Sequence, residues 1–377
     1  MLFSYWEQQT FLATFDVAII GSGIVGLNAA ITLKTRYPDA RIAVLERGVL
    51  PTGASTKNAG FACFGSASEL LADLATQSAD DVYQLVRRRY EGLLALRQRL
   101  GETDIDFYQN GNYEIFCPKD ANLYQHCADK LPELNQILQE VLGINEVFQT
   151  KNELIKTFGL QDVNNLIWNR AEGQLNTGKM MSKLLFLAQS MGVQVLNGIF
   201  ITNIHSETHK VILETKDFAT LSARKIIVAT NGFAQQLLPH LQVQAARNQV
   251  LVTAPVLNLK LNGCFHQDEG YIYFRNIDGR VLIGGGRNIA QDTETTTELA
   301  LTVQIQSYLE HVLFTHVLPQ QRVEIEYRWA GILGLGAVKK PIIEKIDNNI
   351  VVAVRMGGMG VAIGILVAKD AADLIEL

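Results

Sequence analysis

The stretch Phe15–Leu33, FDVAIIGSGIVGLNAAITL, constrains this chain more than any other. Val17-Ala18-Ile19-Ile20 is a short apolar run that reads as a strand buried on both faces. Gly21, Gly23 and Gly26 follow in G-x-G-x-x-G spacing and lead into a helical stretch. Gly21 allows a tight turn, Gly23 lets backbone approach a pyrophosphate, and Gly26 lets helix pack on strand. Ile24 and Val25 open that helix, where free N–H groups and the macrodipole favour an anion. A second apolar run, Ile42-Ala43-Val44-Leu45, ends in Glu46, about 20 residues beyond Gly26. A carboxylate there suits the hydroxyls of an adenosine ribose and would repel a 2′-phosphate. The competing reading is a glycine-rich turn without a ligand; strand, turn, helix, strand and acid in order favour a dinucleotide.

Beyond Glu46, Arg47 and Gly48 comes a loop of small polar residues, Ser55-Thr56-Lys57-Asn58-Ala59-Gly60. Its amides, hydroxyls and the Lys57 charge suit phosphate from the side opposite the helix terminus. Alone it reads equally well as a solvated turn; its place after the ribose acid favours binding.

With 377 residues the chain is long enough for two domains. A formal net charge of −5 predicts no general affinity for nucleic acid or an anionic membrane. Four scattered cysteines without metal spacing fit a reducing, cytoplasmic setting, and no metal is expected. No run of about 18 apolar residues suggests an integral membrane segment. The N-terminal segment lacks the features of a secretory signal. Its Tyr5, Trp6, Phe11 and Phe15 read as an arm packed on the first domain.

Helical periodicity spans Ser66–Arg99, Ala121–Gly143, Thr177–Met191 and Thr295–Leu313, and a closing helix runs over Val361–Leu374. Asn110-Gly111 predicts a hairpin between two aromatic strands, and Asp278-Gly279 another. Ile226–Val228 is an apolar strand ending in Ala229-Thr230-Asn231-Gly232. Ile350–Val354 is a buried strand before the glycine turn Met356–Gly360. Dinucleotide-type α/β segments thus alternate with hairpin-rich ones. The expected division is 1–84, 168–240 and 326–377 for the cofactor domain, and 85–167 and 241–325 for a substrate domain.

The ordered set of Gly21–Gly26 with Glu46, Ser55–Gly60, Ala229–Gly232, and Trp329-Ala330-Gly331 leading to the terminal turn resembles the FAD-dependent D-amino-acid oxidase family. The likeness is to the branch of glycine and sarcosine oxidases and covers nearly the whole chain. It implies a Rossmann-like, glutathione-reductase-like FAD domain (α/β) with an interleaved antiparallel substrate domain (α+β). It also implies noncovalent FAD. Glu46 would hold the ribose, and Val195 would meet the adenine through its backbone. Ser55 to Gly60 would wrap the pyrophosphate, and Gly357, Gly358, Met359, Gly360 and Val361 would face the pyrimidine end of the flavin. The implied reaction oxidises the C–N bond of a small-molecule amine by hydride transfer to flavin N5, giving an imine that water hydrolyses.

The chain departs from this pattern at the substrate. Glycine oxidase-type members carry an arginine after the Gly-Ile of the Trp-x-Gly segment, where this chain has Leu333. Arg275, Arg287, Arg328 and Arg355 remain as carboxylate-binding candidates. Arg275, beside Tyr271 and Tyr273, ranks first; Tyr271 and Arg328 complete the expected set. Leu282 stands where sarcosine oxidase-like members place a lysine near the flavin. A carboxylate-free amine or polyamine derivative, an NAD-only enzyme and a non-catalytic flavin-binding subunit are the alternatives. The sequence assigns no oligomeric state.

Overall fold

The computed structural model describes residues 2–319 and 321–377. Two eight-stranded sheets carry the chain. The first runs Ile342–Lys345, Ile350–Val354, Leu221–Val228, Phe15–Ile20, Ile42–Glu46, Gln194–Asn197, with Val211–Thr215 and Ile201–Ser206 added beyond Leu221–Val228. Phe15–Ile20 lies at its centre, parallel to both neighbours, with Val17 opposite Ile42 on one side and Lys225 on the other. Its alternate residues serve two cores: Val17 and Ile19 meet the helices Ile24–Arg36 and Gly360–Asp373, while Ala18 and Ile20 pack below. This two-sided burial is why the strand is apolar throughout.

The second sheet runs Ile325–Leu335, Gln244–Thr253, Arg280–Gly285, Ile272–Ile277, Cys264–Gln267, Asn112–Phe116, Asn165–Asn169, Phe148–Thr150. An aromatic core backs it. The Phe265 and Phe274 rings stack at 5.0 Å, and Tyr113 stacks on Phe265 at 5.0 Å.

Several expectations are corrected. Ser66–Arg99 is two helices, Ala67–Leu74 and Ala79–Leu100, because Ser66 and Ser78 each cap a helix start through their hydroxyls. Asn110-Gly111 forms no hairpin. Asn112–Phe116 instead pairs parallel with Cys264–Gln267 and antiparallel with Asn165–Asn169, and Tyr108 bridges to Gln174. Asp278-Gly279 does close a hairpin, with Ile277 opposite Arg280. Within Thr295–Leu313 the helix covers only Val303–Val312, extended by a π-helical turn. Residues 295–302 are held instead by Gln249 and Arg247, which bond Thr302 and the Glu298 carbonyl. In the N-terminal arm Phe15 is buried, but Tyr5, Trp6 and Phe11 are exposed, and Arg41 ties the arm down through the Thr10 carbonyl.

Ala79–Leu100 packs on the terminal helix, where a Cβ at Gly92 would collide with the Ala362 carbonyl, while its Val82 and Val86 join a core with Phe116, Phe148 and Ile167 of the second sheet. Asn165–Asn169 and Ile325–Leu335 are ladder members of the second sheet.

Candidate active site

A cleft of about 570 Å³ runs from the carboxyl ends of the parallel strands to the face of the second sheet. At its deep end the chain turns at Gly21, whose φ is +108° and whose Cβ, if present, would lie 2.9 Å from the Ala229 carbonyl oxygen. Gly23 caps the helix Ile24–Arg36, and a Cβ there would lie 2.8 Å from Ser55 Oγ. That hydroxyl accepts the Ile24 amide at 2.9 Å. Gly21, Gly23, Ile24 and Val25 line the cleft; Gly26 stands behind it, against the Gly21 carbonyl.

Glu46 is buried at the end of the next strand. Its Oε2 accepts the Ser22 amide (3.1 Å) and hydroxyl (2.7 Å), and Oε1 accepts the Gly48 amide (2.9 Å). Three donors thus hold the carboxylate at the cleft wall, and Ser22 was not legible as one of them. The Arg47 guanidinium lies 3.8 Å from the Phe233 ring centroid, and both line the cleft. Val195 does not reach it. Ile199, Phe200 and Ile201 take that position, because the Gly198 and Ile199 amides donate to the Gly48 and Glu46 carbonyls and draw this later segment in.

Ala54–Lys57 forms one helical turn; Ser55, Lys57, Asn58 and Ala59 face the cleft, whereas Thr56 turns away to the Pro51 carbonyl. Trp329 sits behind this segment, its Nε1 donating to the Lys57 carbonyl at 2.9 Å, and Gly331 lines the wall beside Lys57. Gly60 is also behind the wall. There Arg275 Nη1 donates to the Gly60 and Leu175 carbonyls, both at 2.9 Å. Arg275 is therefore a buried strut and not a cleft residue, which corrects its first rank. Arg328 is corrected likewise: it donates to Gln306 (2.7 Å) and Glu310 (2.6 Å) on the helix Val303–Val312.

Ala229, Thr230 and Asn231 line the cleft, and Gly232 packs behind on the Leu333 carbonyl. Asn231 Oδ1 accepts the Arg355 amide (3.1 Å) and the Met356 amide (3.3 Å), which sets the entry to the terminal turn. Gly357 and Gly358 have φ of +59° and +85°. Among the described residues the amides of Gly358, Gly360 and Val361 have no backbone acceptor, and the helix Gly360–Asp373 starts there. Gly357 to Val361 all line the cleft.

Where it meets the second sheet the cleft forms a chamber lined by Phe61, His266, Tyr271, Tyr273 and Arg287, and by Glu69 beside Gly270. The Arg287 guanidinium lies 4.9 Å from the Tyr271 ring centroid and has no carboxylate partner among the described residues. Asp73 and Lys339 pair at 2.9 Å, and both line the cleft. Arg287 stood among the sequence candidates without preference; His266 and Glu69 carried no signal in their local sequence.

A glycine-walled cradle at one helix terminus, a buried acid at the end of the next strand and a second helix terminus with free amides define a protein built to hold a flavin dinucleotide. FAD fits these residues: at Gly21 and Gly23 a side chain would press on the walls, and the free amides suit its pyrophosphate and flavin oxygens. The model of the family "FAD dependent oxidoreductase" matches residues 16–374, and the chain belongs to that family. Glycine oxidase of Geobacillus kaustophilus is 26% identical over 84% of this chain and 81% of its own length. The crystal structure of a glycine oxidase from that organism superposes with a TM-score of 0.75 at 22% identity, covering 96% of this chain and 94% of that one. L-proline dehydrogenase from P. horikoshii gives a TM-score of 0.75 at 16% identity, covering 97% and 94%. The protein is an FAD-dependent oxidoreductase.

Proposed function

We propose that the protein oxidises the C–N bond of an amino acid or close amine derivative, with Arg287 and Tyr271 holding the substrate carboxylate. The observation that carries this reading is the unpaired Arg287 guanidinium on the chamber wall, poised over Tyr271. Its planar fork matches a carboxylate bidentately and takes over the task left open by Leu333. Bound FAD supplies the hydride acceptor, and the imine formed is hydrolysed by water. Phe61 and Tyr273 wall the chamber, limiting water around the reacting carbon. The free amides of Gly358, Gly360 and Val361 offer fixed positive dipoles to the negative charge that builds on reduction.

Leu333 on the cleft and Glu69 without a salt-bridge partner among the described residues favour a second reading, a carboxylate-free amine with a cationic tail. Anaerobic absorbance of the purified flavoprotein against amino acids of both hands, N-methyl amino acids and polyamines separates the two. Bleaching of the flavin band by amino acids supports the first reading. Bleaching by polyamines alone overturns it in favour of the second.

A further inference from the structure

Behind the chamber lies a buried polar trio that the dinucleotide cradle does not use. His266, on Cys264–Gln267, is 6% exposed and lines the cleft with its ring stacked 5.1 Å from Phe61. Its Nδ1 lies 3.2 Å from the side-chain amide nitrogen of Asn112, which also lies 2.6 Å from Glu172 Oε2. Glu172 Oε1 accepts the amides of Phe64 (2.6 Å) and Gly65 (2.9 Å). Among the described residues His266 Nε2 has no hydrogen-bond partner, and the ring lines the cleft.

Asn112 satisfies this geometry in two ways. With its nitrogen between the partners, it donates to an ionised Glu172 and to Nδ1, so a neutral imidazole must carry its hydrogen on Nε2. With its oxygen there, it accepts from a protonated Glu172 and from Nδ1–H, and Nε2 keeps a lone pair. Among the described residues the amide's remaining atom makes no hydrogen bond: Asn112 Oδ1 and Asn169 Nδ2 are both unpartnered, and both residues border a small void shared with Glu114, Glu172 and His266. Turning the amide therefore breaks no bond on its far side.

We propose that His266 is a proton-holding residue of the substrate chamber, and that Asn112 and Glu172 position its hydrogen on one ring nitrogen or the other. Burial pushes Glu172 up to about 8 against the hydrogen bonds that hold it down, so its acid form prevails at neutral pH and His266 Nε2 faces the chamber as an acceptor. On the amine reading above, that atom takes a proton from the substrate ammonium. An ammonium N–H bond breaks, the Nε2–H bond forms, and the electron pair stays on the amine nitrogen. Nδ1–H meanwhile remains on the Asn112 oxygen. The titratable groups around the trio are Glu69 from Ala67–Leu74, Glu114 from Asn112–Phe116, Cys63, Cys264 and the buried Arg89 from Ala79–Leu100. Burial disfavours the imidazolium and Glu69 favours it.

The test reads imidazole nitrogen spectra of histidine-labelled holoenzyme, without substrate, from about pH 6.5 to about 9.5. His266 is expected to pass from the Nδ1–H to the Nε2–H tautomer as pH rises through about 8. Glu172→Gln, which can donate to Asn112 while accepting both backbone amides, is expected to hold the Nδ1–H form throughout. One unchanging tautomer in the wild type, or the same transition in the variant, overturns the proposal. If the variant does not fold, the wild-type titration decides alone. The readout needs no turnover, so it stands or falls apart from the substrate assignment.

Discussion

Arg287 lies over the ring of Tyr271, its guanidinium carbon 4.9 Å from the ring centroid, on the wall of the substrate chamber. A charge-assisted fork is worth about 1.5–3 kcal/mol. Arg287→Met should therefore weaken binding of carboxylate-bearing substrates or inhibitors by roughly 10- to 100-fold. FAD content should not change, because Arg287 stands apart from the dinucleotide cradle. Flavin absorbance titrations of the two proteins read both quantities.

Arg275 should behave in the opposite way. Arg275→Met strands the Leu175 carbonyl in the interior and leaves the Gly60 carbonyl with only the Leu175 amide. The expected cost is about 2–4 kcal/mol of folding stability, with looser FAD retention and substrate affinity of the remaining holoenzyme little changed. Denaturant unfolding alongside the same titration separates a strut from a substrate contact.

Glu46→Ala removes the acid held by Ser22 and Gly48 on the cleft wall. Flavin-to-protein ratio after gel filtration should fall, with FAD affinity lower by about 10-fold or more, since hydrogen bonds to a charged acceptor are lost.

Glu114 introduces a pH dependence of stability. Burial pushes its carboxyl from 4.5 up to about 7, even though Ser66 and Ser68 bond to it. A carboxyl with a raised folded value contributes stability that is complete below its unfolded value and is lost as pH rises through 7. Urea midpoints should therefore decline from about pH 5 to about pH 8, by at most roughly 1.4 kcal/mol per unit for this group. Glu114→Gln should flatten that decline.

Cys63 lines the cleft and is buried, and its Sγ lies 3.6 Å from the Met359 sulfur. Burial, aided by the nearby Glu172, pushes its thiol well above the usual range. It should stay a thiol and form no flavin adduct. Acid precipitation should release the whole of the flavin into the supernatant.

The cradle was legible because its causes are local. Strand, turn and packing glycine lie within one short stretch, and glycine is demanded where a carbonyl or hydroxyl stands against the backbone. Asp278-Gly279 was legible for the same reason, since both strands it joins are adjacent in the chain. Asn110-Gly111 carries the same local signal, yet the strand after it finds partners at Cys264–Gln267 and Asn165–Asn169. Val195 lies on an apolar strand of the right kind, but the turn after it carries Ile201 to the cleft instead.

The sequence by itself determined that the chain holds a dinucleotide and alternates α/β segments with hairpin-rich ones. Turn geometry, strand period and helix-terminus charge are all properties of neighbouring residues. Only the tertiary structure decided which arginine lines the chamber. Arg275 is drawn out of the chamber by the Gly60 carbonyl, 215 residues away along the chain. Arg328 is drawn out by Gln306 and Glu310, on a helix legible in the sequence whose docking beside this strand was not. Arg287 follows the last hairpin strand and finds only a tyrosine ring, so its charge is left for the chamber. A charged side chain goes where its partners are, and those partners are assembled by strand order rather than by chain order.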